Sequence, residues 1–504
     1  MKFARFFLFA LALTLFIAPN ASHAETNLRI GTQFIPDSRG NPYTNFGGAL
    51  MMLWGSMFDT LTAIDDRTGK VSPQLALAWD ETSPTTWRVK LREGVIFSNG
   101  VPFTAESVVG VMGFLKSAEA QGFRIAQQFE GVESVRAVDP STVEFTLKRP
   151  DPIFPRLLAL FWVIEPGQLQ KLGIAGFANA PIGTGPYVLE EWRNERAVFK
   201  RNPTSWVKAP TDRLEFITLA DTTSRVKSLI AGSLDVVIQM APEDAKEVEA
   251  GGGRALNVPL ASVATFAFIQ TRAEASPLKD KRVRQALNYA VNKQAIAEII
   301  QGGGARPSGQ FAARGILGHD PTIEPYPYDP AKAKSLLKEA GYEKGFAFTL
   351  NFVVGGSMSD LASYQQVAAD LAQIGVTMRL EPVAPAIFAR NFVNGKWSGE
   401  AFLLTFNGEM MWDALWALRF SSCLNANGWY CDREIQAVID AAFAARSLDE
   451  RERLTRQVIR RYHDEAYALY LYETERITGI GRNVKRFGIS HNRLRFDEIE
   501  MTAR

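Results

Sequence analysis

Trp87-Arg88-Val89-Lys90-Leu91-Arg92-Glu93-Gly94-Val95-Ile96-Phe97-Ser98-Asn99-Gly100 and, after Val101, Pro102-Phe103-Thr104-Ala105-Glu106-Ser107-Val108 set the reading of this chain. From Thr86 to Leu91 polar and apolar side chains alternate, the period-two pattern of a half-buried strand. Arg92 and Glu93 open a charged turn closed by Gly94, and a second turn closes at Gly100. A helix is then entered through Thr104, with Ser107 where a capping-box Glu would stand. Strand, paired turns and helix in so short a span point to a mixed α/β chain.

The same grammar continues outward. Thr142 to Leu147 alternates as a second half-buried strand. Arg282 to Ile300 carries Val283, Ala286, Leu287, Ala290, Val291, Ile296 and Ile299 at helical spacing, and Gly302-Gly303-Gly304 stops it. Pro330 to Ala340 is predicted as a helix with Asp329 as N-cap, Leu336 and Leu337 inward and Gly341 as stop. Further helices are predicted over 360–373 and 432–445. No period repeats and no segment is low in complexity. The glycine triplets lack the Lys-Ser/Thr that a phosphate loop needs.

At the amino end, Lys2 and Arg5 precede the apolar run Phe6 to Ala18, and Ala21-Ser22-His23-Ala24 supplies small residues for cleavage before Glu25. Residues 1–24 are therefore expected to be a signal peptide and the product to be periplasmic. The apolar run is shorter than the roughly 20 residues of a membrane span, and no lipobox cysteine lies near the cut. About 480 residues remain, more than one hydrophobic core usually serves. Lys+Arg number 56 against 54 Asp+Glu; without Lys2 and Arg5 the balance is 54 against 54, so charge offers no case for nucleic acid or anionic membrane. Cys423 and Cys431 are expected to form a disulfide in an oxidising compartment, a reduced buried pair being the alternative.

Catalytic machinery is not legible. Gly356-Ser357-Met358-Ser359-Asp360 lacks the second glycine of a nucleophile elbow. His319, His463 and His491 are too scattered for a zinc motif. The acidic pairs Asp65-Asp66 and Glu190-Glu191 read as solvated turns and strand ends. No catalytic residue, metal or cofactor is expected, and distant paired carboxylates of a glycosidase leave no sequence signature.

In order along the chain, Leu77-Ala78-Trp79 with the opening stretch, Pro181-Ile182-Gly183-Thr184-Gly185-Pro186-Tyr187, the Arg225–Val237 block, Pro277-Leu278 with Val283-Arg284-Gln285-Ala286-Leu287-Asn288-Tyr289-Ala290, and Tyr328-Asp329-Pro330-Ala331-Lys332-Ala333 resemble the family 5 solute-binding proteins. That group includes dipeptide, oligopeptide, glutathione, nickel and opine receptors. The resemblance implies an α/β fold of the type II periplasmic-binding-protein kind: two main lobes with a hinge plus an inserted extra lobe. The boundaries expected from it are 25–65, 183–272 and 475–504 for a discontinuous first lobe, 66–182 for the insertion and 273–474 for the distal lobe, with crossing segments near 265–271 and 472–480. It further implies a monomer that captures a small solute by lobe closure and delivers it to an ABC transporter permease in the inner membrane. A periplasmic chaperone or sensor on the same fold is the other reading.

Selectivity is expected from Leu404 to Trp416. In peptide receptors of this family the matching segment bears an Asp for the ligand's α-ammonium; gapless counting from Phe420 and Cys423 places that position on Gly408, with Glu409 next door as a replacement. This leaves open a peptide-like ligand, an opine, an oligosaccharide, an aromatic solute or a metal chelate. Phe406, Asn407, Gly408, Glu409, Trp412 and Trp416 are the ligand-binding candidates here, with Met410 and Met411 adding polarisable surface. Phe34, Phe161, Trp162 and Phe268 are further candidates, each with core packing as its alternative. Arg390 is a candidate for a ligand carboxylate.

Overall fold

Trp87, Val89 and Leu91 point inward from the strand Thr86–Leu91 while Arg88 and Lys90 face solvent. A computed structural model describes residues 25–44, 48–65, 68–271, 275–353, 358–408, 411–490 and 493–502; the expected leader, Glu409 and Met410 lie outside these. Thr86–Leu91 pairs on one edge with Ala76–Ser83 and on the other with Thr142–Leu147, which also pairs with Val132–Asp139 in a four-stranded antiparallel sheet. Thr142–Leu147 is more buried than its alternation suggests, because it lies inside the sheet. Its Glu144 is held between Arg88 at 2.9 Å and Arg136 at 2.5 Å. Gly94 and Gly100 both take positive φ, 75° and 88°, at the two turns. The helix Ala105–Leu115 follows, with Ser107 Oγ accepting from Thr104 N at 3.2 Å.

An eleven-stranded sheet runs through the rest of the molecule. On one side Asn27–Thr32 is parallel to both Arg213–Thr218 and Val236–Met240. On the other, Phe346–Val353 is parallel to Val376–Val383 and Ala401–Asn407. The long antiparallel strands Arg254–Phe268 and Ala468–Ile480 join the two sides. Their ladder slips between Pro259 and Val263 and again between Ala264 and Thr265. Pro259 has no N–H to donate, so pairing weakens at the waist of the molecule. This irregularity falls on the amino side of the 265–271 segment expected to cross.

Hydrophobic packing divides at the same waist. One side holds a large core with Leu28, Trp54, Phe58, Phe145, Phe161, Tyr187 and Phe216 and a smaller one around Val226, Leu229 and Val237; the other side holds two, around Phe402, Tyr462 and Tyr467 and around Phe266, Leu287 and Leu371. The turn ending at Gly69 (φ 65°) meets the loop at Gly315 (φ 82°) main chain to main chain: a Cβ on Gly69 would stand 1.9 Å from the Gly315 carbonyl oxygen.

The helix predicted from Arg282 to Ile300 is broken. Lys281–Ala290 ends before Asn292, whose side chain caps a new turn by accepting from Ala295 N at 3.1 Å and whose own N–H bonds Asp370. A π-helical turn, Ile296–Ile300, completes the segment. Pro330–Glu339 starts as expected, with Asp329 Oδ1 accepting from Lys332 N at 2.9 Å and Gly341 leaving at φ 85°. Met358–Ala372 and Arg433–Phe443 are helices, the latter capped by Asp432. Cys423 and Cys431 are joined in a disulfide that closes a short loop. Among the described residues no helix is long and apolar enough to cross a membrane.

Candidate functional site

The strand Ala401–Asn407 lies antiparallel to 262–268 of Arg254–Phe268, which brings Asn407 beside the slipped ladder at the waist. Phe406 is anchored by Phe311, ring centroids 4.6 Å apart, and by Tyr467 at 6.3 Å. Gly408 N donates to Ala261 O at 2.9 Å, and Trp412 N returns to Gly408 O at 2.7 Å. Trp412 takes φ 50°, a left-handed conformation costly for a bulky residue. Its carbonyl accepts from Leu317 N at 2.9 Å and from Arg156 Nη1 at 3.4 Å, tying chain from both sides of the waist. Asp413 then caps the helix Ala414–Leu418 through Leu415 N.

The 411–416 stretch is thus a bridge. Met411 belongs to, and Trp416 packs against, the core that contains Leu28 and Phe161, although the strand leading into them belongs to the other side. Beneath the bridge, Arg451 and Asp413 form a buried ion pair at 2.5 Å with side-chain exposures of 3 % and 0 %. Asp151 sits nearby; burial holds its carboxyl above the usual range, opposed by Arg451. Burial likewise pulls Arg156 below its ordinary value.

A cavity of about 690 Å³ opens beside the bridge. The short helix Arg124–Gln128 forms one wall with Arg124, Gln127 and Gln128. The facing wall is aromatic: Phe388 and Phe392 from the helix Pro385–Asn394, Phe406 and Asn407 from the strand end, and Trp416, Phe420 and Trp429. Arg419 lies over the Trp416 ring at 3.6 Å and the Phe420 ring at 4.8 Å. A second cavity of about 630 Å³ shares Trp416, Arg419, Phe420 and Asn425 and is floored by Arg149, Asp151 and Ile153. A third hollow of about 620 Å³ follows the charged face of Leu448–Asp464, where Arg456 and Arg460 already pair with Glu452 and Asp320.

Of the residues singled out from sequence, Phe406, Asn407 and Trp416 are brought together on the cavity wall. Trp412, 5 % exposed, lies in the bridge and off that wall. Gly408 is enclosed: a Cβ there would stand 3.0 Å from Ile316 Cδ1 and 3.2 Å from Ala261 O. Glu409 lies outside the described residues. Phe34, 50 % exposed, follows the carboxyl end of Asn27–Thr32 and does not line this cavity. Arg390 is exposed and also off its wall.

Three assignments to the cleft are corrected to core, since Phe161, Trp162 and Phe268 expose no surface. Phe161 packs edge-on against Phe129 and Phe145. Trp162 pairs with Thr60 in a short ladder, accepts Tyr43 Oη on its carbonyl and lies under Arg493. Phe268 pairs with Ala401 and is covered by the core around Leu278 and Phe348. Sequence reasoning passed over Arg124, Phe388, Phe392, Arg419 and Trp429. Only the amphipathic run of Pro385–Asn394 carried a signal, with Phe388 and Phe392 on one face.

Residues 70–418 match the pattern of the bacterial extracellular solute-binding proteins, family 5. The chain belongs to that family. It is 32 % identical to the glutathione-binding protein GsiB of Escherichia coli K12 over 273 residues, 53 % of this chain and 52 % of GsiB, so the match spans about half the length of that curated relative. Among solved structures it superposes on the ABC transporter substrate-binding protein CtaP of Listeria monocytogenes with a TM-score of 0.83 at 22 % identity, covering 95 % of this chain and all of that one. The periplasmic binding protein DppA of Helicobacter pylori, solved with the peptide STSA, gives 0.75 at 21 % identity over 95 % of this chain and 99 % of its own. The fold is the mixed α/β fold of type II periplasmic binding proteins.

Proposed function

We propose that this chain is the periplasmic receptor of an ABC importer: it encloses a small solute in the 690 Å³ cavity and hands it, chemically unchanged, to a permease. The observation that carries this reading is the cavity's two-sided wall, with Arg124–Gln128 from one side of the slipped ladder and the 404–420 segment from the other. A solute touching both walls stabilises only the approximated arrangement, so binding and closure are one event. Moving a closed fraction from 1:99 to 99:1 takes about 5.5 kcal/mol of differential affinity. A few buried hydrogen bonds and aromatic faces supply that much. The family membership and the binding-protein relatives support the role; signal-peptide cleavage after Ala24 and a monomeric state are parts of the proposal.

The test is small-angle scattering with thermal shift on the mature chain against peptides, glutathione, opines, oligosaccharides, aromatic acids and metal chelates. A ligand that raises the melting temperature and shrinks the radius of gyration, recovered intact, is the expected result. Steady conversion of a ligand, or a profile unmoved by any bound ligand, refutes it. Tight binding of a protein partner alone supports the chaperone or sensor reading instead.

A further inference from the structure

We infer that the solute is an anion, a carboxylate carried on an apolar chain or ring, and that the Arg419 guanidinium is its anchor. This rests on the receptor reading of the 690 Å³ cavity and specifies what that cavity takes.

Arg419 lines both adjoining cavities, and its guanidinium lies over the faces of Trp416 and Phe420. Stacking fixes the plane of the guanidinium and leaves its N–H edge for a planar, two-oxygen partner. The protein supplies no such partner among the described residues: Arg419 stands in no ion pair, and burial is the sole influence that shifts it, downward. The second cavity's carboxylates, Asp151 and Asp440, form no ion pair with Arg419: Asp440 accepts from Gln436 Nε2 at 2.7 Å and Asp151 from Ile153 N at 3.1 Å. A half-buried cation without a counter-charge is an unfavourable arrangement that an entering anion relieves.

The rest of the cavity agrees in sign and texture. Its described wall contains the cations Arg124 and Arg419 and no carboxylate. Gly408, which gapless counting matches to the ammonium-binding position of peptide receptors, leaves 3.0 Å for a Cβ. Next to the rings that carry Arg419, Phe388, Phe392 and Trp429 extend the aromatic surface, with Phe392 5.9 Å from Phe420 and 5.3 Å from Trp429 between centroids. An anionic head at Arg419 and an apolar body against these rings fill both halves of the wall. Among the described wall residues a ligand ammonium would meet two like charges.

The experiment uses matched probes on the mature, disulfide-bonded chain. Phenyl, indolyl and hexyl carboxylates are compared with their amides and amines by thermal shift and calorimetry. Ala-Phe is compared with its N-acetyl and C-amide forms. The expected result is that acids bind, amides bind at least tenfold more weakly and amines do not bind. Acetylating the dipeptide is tolerated, and amidating its carboxyl costs tenfold or more. Arg419→Gln should erase the acid-over-amide preference with an unchanged circular dichroism spectrum; Arg419→Lys, which keeps the charge but loses the fork, should retain part of it. A merely structural role for Arg419 would lower affinity for acids and amides alike. Amides or amines binding as well as acids, or a preference that survives Arg419→Gln, overturns the anion assignment while leaving the receptor reading standing. If no probe binds and none of the solute classes named above binds either, the receptor reading falls and the assignment falls with it.

Discussion

Replacing Asp413 by Asn removes one charge from beneath the bridge and little else. The amide oxygen can still accept from Leu415 N, so the cap of Ala414–Leu418 is retained, while Arg451 loses its counter-charge at 3 % exposure. Arg451 Nε and Nη2 both point at Asp413 Oδ2, at 2.8 and 2.5 Å, and among the described residues the other acceptor on that fork is Ala442 O at 3.2 Å. Breaking a buried pair of this kind from one side costs about 3–5 kcal/mol, most of it the penalty of the stranded cation. For a chain of 504 residues the unfolding entropy is on the order of 1 kcal/mol per kelvin, so the melting temperature should fall by about 3–5 °C. Asp413→Leu combined with Arg451→Met should recover most of the loss, because replacing both partners by apolar groups is about neutral; the missing cap would hold back roughly 1 kcal/mol. Differential scanning calorimetry of wild type, single and double variants decides. A fall under 1 °C for Asp413→Asn, or a double variant worse than the single, would refute the claim that this pair is desolvated and mutually dependent.

Reducing the Cys423–Cys431 bond, or replacing both residues by Ser, should cost about 2–3 kcal/mol by the loop-entropy estimate for so short a closure, read as a lower melting temperature without loss of the overall fold. Gly408→Asp should destabilise by about 1–3 kcal/mol through the contacts with Ile316 and Ala261 and should confer no affinity for free peptide amino termini, checked by calorimetry with a dipeptide. Burial lowers the Lys293 amine from 10.5 to about 7. Between those values the unfolded chain binds the proton and the folded one does not, so stability rises with pH across that window, and at pH 7 and below the burial cost stands in full. Lys293→Met should therefore raise the melting temperature most below pH 7, with the difference from wild type shrinking towards pH 10.

What could be read in advance was what local chemistry decides. The alternation of Thr86–Leu91, the glycines at 94 and 100 and the aspartates at 329 and 432 act within a few residues of themselves, and the corresponding elements stand where those signals put them. The break at Val291 escaped because its cause is distant: Asp370, on another helix, takes the Asn292 N–H. Aromatic side chains were the weakest guide. Phe161, Trp162 and Phe268 differ from Trp416 in no property visible in sequence; what separates them is whether a second layer covers them. Arg419 was hidden for the opposite reason. One arginine among many gains meaning only when the surrounding chain leaves it stacked on two rings with no ion pair among the described residues.

The contact between Gly69 and Gly315 has a mechanical corollary. With 1.9 Å between a notional Cβ and the opposing oxygen, the two loops meet on bare peptide that no side chain cushions. A single methyl at Gly69 would work as a doorstop. On the receptor reading proposed above, the jaws would then rest ajar on their cargo, and a transporter that gauges the outline of its delivery partner would meet a loaded molecule shaped like an empty one.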